Sequence, residues 1–316
     1  MKFTKLASLL ICSGILMANA QAQESPTLKR IKESGKITLG VRDASIPFSY
    51  LDDKQSYQGY SIDLCRKVVN HIQKQLNLTT LIDVKLNPVT SATRIPLMMN
   101  GTIDLECGST TNNEERQKQV SFAPTTFVTA NRILSKKASN VKTLADLKGK
   151  PVVSTSGTSN LKQLTQLNAD QNLGITVMPA KDHAEAFLMV ETGRAVAWVM
   201  DDILLMAQAA NSKNPNDYEI SKEALSVEPY GIMMRKDDPE FKKAVDSAIK
   251  SLMMSGEINT IYNKWFMQPI PPKNITLNLA MSDQLKAVIA KPTDSGNPAA
   301  YAVVPEAQKA ILKKKK

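Results

Sequence analysis

Apolar and polar positions alternate at Ile37, Leu39 and Val41, the two-residue period of a half-buried strand that opens into the polar loop Arg42-Asp43-Ala44-Ser45. The period then changes. Ile62, Cys65, Val69, Ile72 and Leu76 recur every three or four residues, which predicts an amphipathic helix with Ser61 as its N-cap. Another strand is predicted over 82–86, then a helix with Pro96 in its first turn that Gly101 stops. Strand 103–106 leads into the polar loop Gly108-Ser109-Thr110-Thr111. Alternation of this kind, β-α-β-α-β, predicts an α/β fold with a largely parallel, twisted sheet covered on both faces.

The same design recurs further along. A short helix over 144–148 ends at Gly149, and strand 151–154 enters Thr155-Ser156-Gly157-Thr158-Ser159 at the start of another helix. Strand 175–178 precedes helix 182–191, and strand 196–200 terminates in Asp201-Asp202. This repetition predicts two similar lobes. The β-branched run 127–134 is suited to cross from the first lobe to the second, and 230–234 to cross back before a long helix over 239–254. Two crossings make a hinge. They divide the chain into 23–127 plus 232–275 as lobe 1, 128–231 as lobe 2, and 276–316 as a C-terminal extension. Within the extension, Ser282 reads as a helix cap and 299–312 as a further helix. Ligands of open α/β sheets bind beyond the carboxyl ends of the strands, so two such edges facing each other define a cleft.

Composition narrows the function classes. The 316 residues carry 40 Lys+Arg against 30 Asp+Glu, a net charge of +10. No run reaches the roughly 18 apolar residues that span a bilayer. Lys2 and Lys5, the short apolar stretch 6–17 and the small-x-small patterns ending at Ala20 and Ala22 read as a secretory signal peptide over 1–22. Its removal takes away two lysines, and Lys313 to Lys316 hold four more charges, so about +4 belongs to the folded body. Neither a zinc pattern nor an RNP-like motif nor a basic helix accompanies that charge, so no nucleic acid, metal or cofactor is expected. Cys65 lies on a helical stripe and Cys107 at a strand end; an oxidising compartment permits pairing, but two buried free thiols are the expected state.

The cleft loops hold hydroxyls and a few charges: Arg42, Ser91, Arg94, Ser109, Thr110, Ser156, Thr158, Ser159, His183 and Asp201. An arginine at such an edge holds a carboxylate bidentately, aided by N–H groups at helix starts. Surface ion pairing is the alternative for each arginine, and position alone leaves both open. Asp201 suits a ligand ammonium and equally suits capping the helix that begins at Asp202. His183, in the first turn of a helix, has a structural reading beside the functional one. Two arginines and an aspartate together match a small ligand with two negative groups and one positive group.

Several ordered motifs then carry a resemblance. Gly-Val-Arg-Asp-Ala-Ser-Ile-Pro-Phe-Ser-Tyr (Gly40 to Tyr50), Gly59-Tyr60-Ser61-Ile62-Asp63-Leu64, Thr90-Ser91-Ala92-Thr93-Arg94-Ile95-Pro96, Glu106-Cys107-Gly108-Ser109-Thr110-Thr111-Asn112 and Gly231-Ile232-Met233-Met234-Arg235-Lys236-Asp237 occur in sequence. Together they resemble bacterial periplasmic amino-acid-binding proteins of ABC importers (bacterial solute-binding protein family 3), over residues 28 to 290. Within that family the chain resembles the glutamate/aspartate binders most, through Arg116-Gln117-Lys118-Gln119, Ala180-Lys181-Asp182-His183 and Met200-Asp201-Asp202. The resemblance implies a periplasmic location and a two-lobed type II clamshell with two crossover hinge strands. It further implies a monomer without cofactor that encloses L-glutamate or L-aspartate and delivers it to an inner-membrane ABC permease. Arg94 would hold the α-carboxylate, and Asp201 with groups near Ser109 and Thr110 the ammonium. Arg42, Ser91, Thr158, Ser159 and His183 would grip the side-chain carboxylate. Glutamine, asparagine or a mixed acidic/amide range is the alternative specificity. A cyclohexadienyl dehydratase-like lyase is the enzymatic alternative, but the loops offer no nucleophile–base pair.

Overall fold

The computed structural model of the protein describes residues 25–302, so the expected signal peptide, the lysine tail and all but the start of the helix expected over 299–312 lie outside the described residues; that start falls in a short 3-10 turn, Pro298–Tyr301. Chain order runs α1 (Pro26–Ser34), β1 (Lys36–Val41), β2 (Ala44–Ser45), β3 (Ser49–Leu51), β4 (Tyr57–Gln58), α2 (Tyr60–Gln75), β5 (Asp83–Pro88) and α3 (Arg94–Met99). It continues through β6 (Leu105–Glu106), α4 (Glu114–Gln117) and β7 (Val120–Phe122). Strand β1 lies parallel to both β5 and β6, so three carboxyl ends point the same way and carry their loops to one edge.

The second unit holds β8 (Phe127–Lys136), β9 (Pro151–Thr155), α5 (Ser159–Asp170), β10 (Thr176–Ala180), α6 (His183–Glu191), β11 (Ala197–Asp201), α7 (Asp202–Asn211), β12 (Tyr218–Ile220) and β13 (Ser226–Tyr230). Its sheet order is β10-β9-β11-β8-β12, with β13 also on β8. The β10, β9 and β11 pairings are parallel, and those to β8 are antiparallel. The chain then returns through β14 (Met233–Arg235), antiparallel between β6 and β7, to α8 (Pro239–Met254), α9 (Glu257–Phe266) and α10 (Asp283–Ala290). Each of the two large sheets is therefore a parallel core with antiparallel strands where the chain passes between lobes, and β2, β3 and β4 form a small antiparallel sheet of their own.

The two passages run side by side. Ala123 N–H bonds to the Ile232 carbonyl at 2.9 Å, and Thr126 N–H to that of Tyr230 at 2.9 Å. Below them Phe127 stacks on Phe266 at 4.9 Å, and Phe48 meets Phe127 and Tyr230 edge-on at 5.0 and 5.1 Å. This aromatic knot joins the passage to lobe 1 with packing beyond simple area burial.

The extension lies across the passage. Thr125 N–H bonds to the Thr293 carbonyl at 2.8 Å, and the amides of Asn112 and Gln117 both donate to the Asp294 carbonyl at 2.8 Å. Tyr301, 2% exposed, packs with Val128 of β8, Val227 of β13 and Val288 of α10, and its hydroxyl meets Thr125 Oγ1 at 2.8 Å.

Two expectations are corrected. Cys65 and Cys107 are not free thiols: they form a disulfide with Cα atoms 6.2 Å apart. Cys107 N–H bonds to the Gly40 carbonyl at 2.9 Å, which puts the end of β6 beside β1, beneath the buried stripe of α2. Ser61 does not cap α2. The helix starts one residue earlier, its Tyr60 and Ser61 N–H groups held by the Pro47 and Phe48 carbonyls at 2.9 and 3.0 Å. Gly59 stands at the cap with φ 142, where a Cβ would lie 2.2 Å from the Phe48 oxygen. The Ser61 hydroxyl donates instead to the Gly108 carbonyl at 2.8 Å.

Candidate functional site: a cleft of buried arginines

The parallel strand ends deliver the site. Arg42 follows β1, Arg94 opens α3, and Ser109 and Thr110 follow β6. From lobe 2, Thr158 caps α5, His183 opens α6, and Asp201 ends β11. Arg42, Arg94, His183 and Asp201 are each only 2% exposed.

Arg42 Nη2 donates to Ser91 Oγ at 2.7 Å, while its Nη1 is buried with no partner among the described residues. Arg94 Nη1 donates to Thr110 Oγ1 and, at 3.3 Å, to the Ser109 carbonyl; its Nε has no partner. Thr110 in turn donates to Glu106 Oε2 at 2.6 Å, so a buried carboxylate stands behind Arg94 through one hydroxyl. Burial and the neighbouring Arg94 push the Arg42 guanidinium down to about 10. Burial lowers Arg94 as well, against the pull of Glu106. Both remain cationic at neutral pH, and an unpaired buried donor is costly, so the site favours an anion.

His183 Nδ1 meets Thr155 Oγ1 at 2.9 Å, and its Nε2 is buried without a partner. Burial first, then Arg42 and Arg94, hold this imidazole well below its usual range, so it is neutral. In the tautomer in which Thr155 donates to Nδ1, Nε2 carries the hydrogen and offers a third donor beside the two arginines. The Ser109 hydroxyl is likewise buried and without a partner.

Asp201 occupies the position before α7 but does not cap it. Its carboxylate accepts from Asn160 Nδ2 at 2.7 Å and from the Tyr230 hydroxyl. Burial and the nearby Glu228 push it up to about 7, against the pull of its two donors. Because the folded state holds this proton more tightly than an unfolded chain does, the group contributes stability below the ordinary carboxylate range. That contribution is lost as pH rises through about 7.

Two predicted hydroxyls have local partners. Thr158 Oγ1 accepts from Leu161 N–H at 3.1 Å and donates to the Thr155 carbonyl at 2.6 Å, the work of an N-cap. Ser159 Oγ donates to Glu228 Oε2 at 2.9 Å. Arg42, Ser91, Arg94, Ser109, Thr110, His183 and Asp201 are thus all buried at strand and helix ends, while Thr158 and Ser159 border an opening lined also by Arg116, Gly157 and Glu228.

Glu106, Arg116, Asn160, Glu228 and Tyr230 also stand here, although the sequence suggests no ligand-binding role for them. Arg116 Nη1 donates to the Thr111 carbonyl at 2.8 Å and its Nη2 reaches the Gly157 carbonyl of the other lobe at 3.3 Å. Glu228 lies two residues before Tyr230 on β13, and the two-residue period of a strand puts both on one face. That period was the available signal for Glu228.

The match to a family model decides the affiliation: residues 37–268 fit the bacterial extracellular solute-binding proteins, family 3. The chain belongs to this family. It is 54% identical over 291 residues to an L-glutamate/L-aspartate-binding protein of Pseudomonas aeruginosa, covering 92% of this chain and 96% of that one. A glutamate/aspartate import solute-binding protein of Escherichia coli is 46% identical over 292 residues, with 92% and 96% covered. Among solved structures, ArgBP from T. maritima superposes with a TM-score of 0.68 at 28% identity, over 75% of this chain and 98% of that one. An ancestral amino acid-binding protein, titled a precursor of cyclohexadienyl dehydratase, gives 0.64 at 28% identity over 76% and 99%. The two-lobed α/β clamshell expected from sequence is the observed fold. The relatives of high identity are transport proteins rather than enzymes, which weighs against the dehydratase-like alternative.

Proposed function

We infer that this family member captures L-glutamate or L-aspartate between its lobes outside the cytoplasm and delivers it to an inner-membrane ABC permease. The carrying observation is the pair of buried guanidinium groups with free donors, Arg42 and Arg94, in one cleft with a neutral His183 and a carboxylate. A dicarboxylic amino acid matches that count. Arg94 takes the α-carboxylate, Asp201 the ammonium, and Arg42 with Ser91 and His183 the side-chain carboxylate. In this reading residues 1–22 direct export, lobe 1 comprises 23–127 with 232–275, and lobe 2 comprises 128–231.

A thermal-shift screen of the twenty amino acids tests this directly, because a ligand bound only by the native state raises Tm. Glutamate and aspartate should give the largest shifts; no shift with either sinks the reading. Arg42→Ala should lower affinity for both by about tenfold or more while changing glutamine binding far less, since a charge-assisted hydrogen bond contributes about 1.5–3 kcal/mol. Equal losses in calorimetry for all three would place Arg42 elsewhere.

Proton linkage gives an independent check. A ligand ammonium needs Asp201 ionised, so binding below about pH 7 releases the proton this group holds. Glutamate affinity should therefore fall by up to about tenfold per pH unit on going from 7 towards 5. Asp201→Asn should bind more weakly and lose that slope. An unchanged affinity across this range would contradict the assignment.

A further inference from the structure

Gly157 sits in the turn between β9 and α5 with φ 74, at the mouth of the cleft. A Cβ built there would lie 2.5 Å from Ala92 Cα, 2.6 Å from Ala92 N and 2.7 Å from the Ser91 carbonyl carbon. All three atoms are backbone of the opposite lobe, in the turn that carries Ser91 and leads into Arg94. That turn is pinned by its own bonds: Thr90 N–H to Thr93 Oγ1 at 2.9 Å and Arg94 N–H to the Thr90 carbonyl at 3.1 Å. None of the three belongs to a flexible side chain that could give way.

A second contact ties the same point. The Gly157 carbonyl accepts from Arg116 Nη2 at 3.3 Å, while Arg116 Nη1 holds the Thr111 carbonyl. Next to it Ser159 Oγ lies 3.4 Å from Thr111 Oγ1, and Lys162 pairs with Glu115. Lobe 2 therefore meets lobe 1 backbone to backbone at Gly157, with side chains reaching across on one flank.

We propose that Gly157 is a positioning residue for ligand capture: its missing side chain sets how closely the lobes approach, and so whether His183 and Asp201 reach a ligand held by Arg94 and Arg42. Ordinary carbon contacts lie near about 3.5–4.0 Å. A single methyl at Gly157 thus forces either the lobes apart by roughly 1 Å or the Ser91–Arg94 turn out of place. Both stretch hydrogen bonds that weaken steeply with geometry. The inference rests on the proposed amino-acid capture, and the two fail separately.

Gly157→Ala and Gly157→Asn are compared with the unaltered protein by calorimetry with glutamate and aspartate, by small-angle scattering with and without saturating ligand, and by ligand-free Tm. Asparagine tolerates a positive φ far better than alanine while carrying the same Cβ, so it separates contact from backbone strain. Both variants should lose tenfold or more in affinity and show less ligand-induced compaction than the unaltered protein. Wild-type affinity and compaction in both variants overturn the proposal. So does a loss in Gly157→Ala that Gly157→Asn restores, because strain alone would then explain it. If the unaltered protein itself gives neither heat nor compaction with either ligand, the capture function fails instead.

Discussion

Replacing Arg94 with alanine should abolish binding of every amino acid, acidic or not. The α-carboxylate is common to all of them, and in the cleft it would lose its cationic partner while staying out of water. Removing one partner of a buried charge pair costs about 3–5 kcal/mol, a factor of 10² to 10³ or more in Kd. The fold should survive. Arg94 is itself a buried charge whose guanidinium burial disfavours, and among its recorded contacts are Thr110 Oγ1 and the Ser109 carbonyl. Calorimetry with glutamate, aspartate and glutamine, with circular dichroism as control, reads both halves. Binding of any of the three within tenfold of the unaltered protein would show that the α-carboxylate is held elsewhere.

Converting both Cys65 and Cys107 to serine should be the other large effect, this time on stability. The bridge spans a sequence separation of 42 residues. A loop of that length restrains the unfolded chain by about 4 kcal/mol at room temperature in the chain-entropy account. The bridge also borders the ligand loop, since Gly108, Ser109 and Thr110 follow Cys107 directly. The double variant should show a lower urea midpoint with an equal or steeper slope, because the unbridged chain exposes more surface on unfolding, and weaker glutamate binding as well. A midpoint equal to that of the oxidised protein would show that the bridge is without effect on stability.

Much of this architecture was legible because it is local. Strand ends and helix starts follow from periodicity, so the sequence alone puts Arg42 after β1, Arg94 at α3 and His183 at α6, at the lobe edges. The disulfide was not legible, because the stripe of α2 and the end of β6 meet only when the sheet forms and β6 settles beside β1. Ser61 misled for a similar reason: its hydroxyl fits a cap, but two carbonyls from the Pro47–Phe48 turn took that role first. The charge count in the cleft was also incomplete. Arg94 draws on Glu106 through Thr110, and Asp201 shares its surroundings with Glu228, both relations between separate elements rather than within one. Thr158 and Ser159 carry the right chemistry, yet their hydroxyls engage Thr155 and Glu228.

The segment after α10 has a mechanical consequence. Two strands running side by side between two bodies leave them free both to bend and to twist about the line joining them. The stretch around Thr293 and Asp294 is fastened to Asn112, Gln117 and Lys242 on one body, and Tyr301 to Thr125 at the pivot and to Val128 and Val227 beyond it. This third line of attachment joins the same regions as the two strands, so a relative twist of the lobes has to strain these contacts as well as the strands. The family match ends at residue 268, so this third attachment joins residues inside the match, such as Asn112, Thr125 and Lys242, to a segment that follows it.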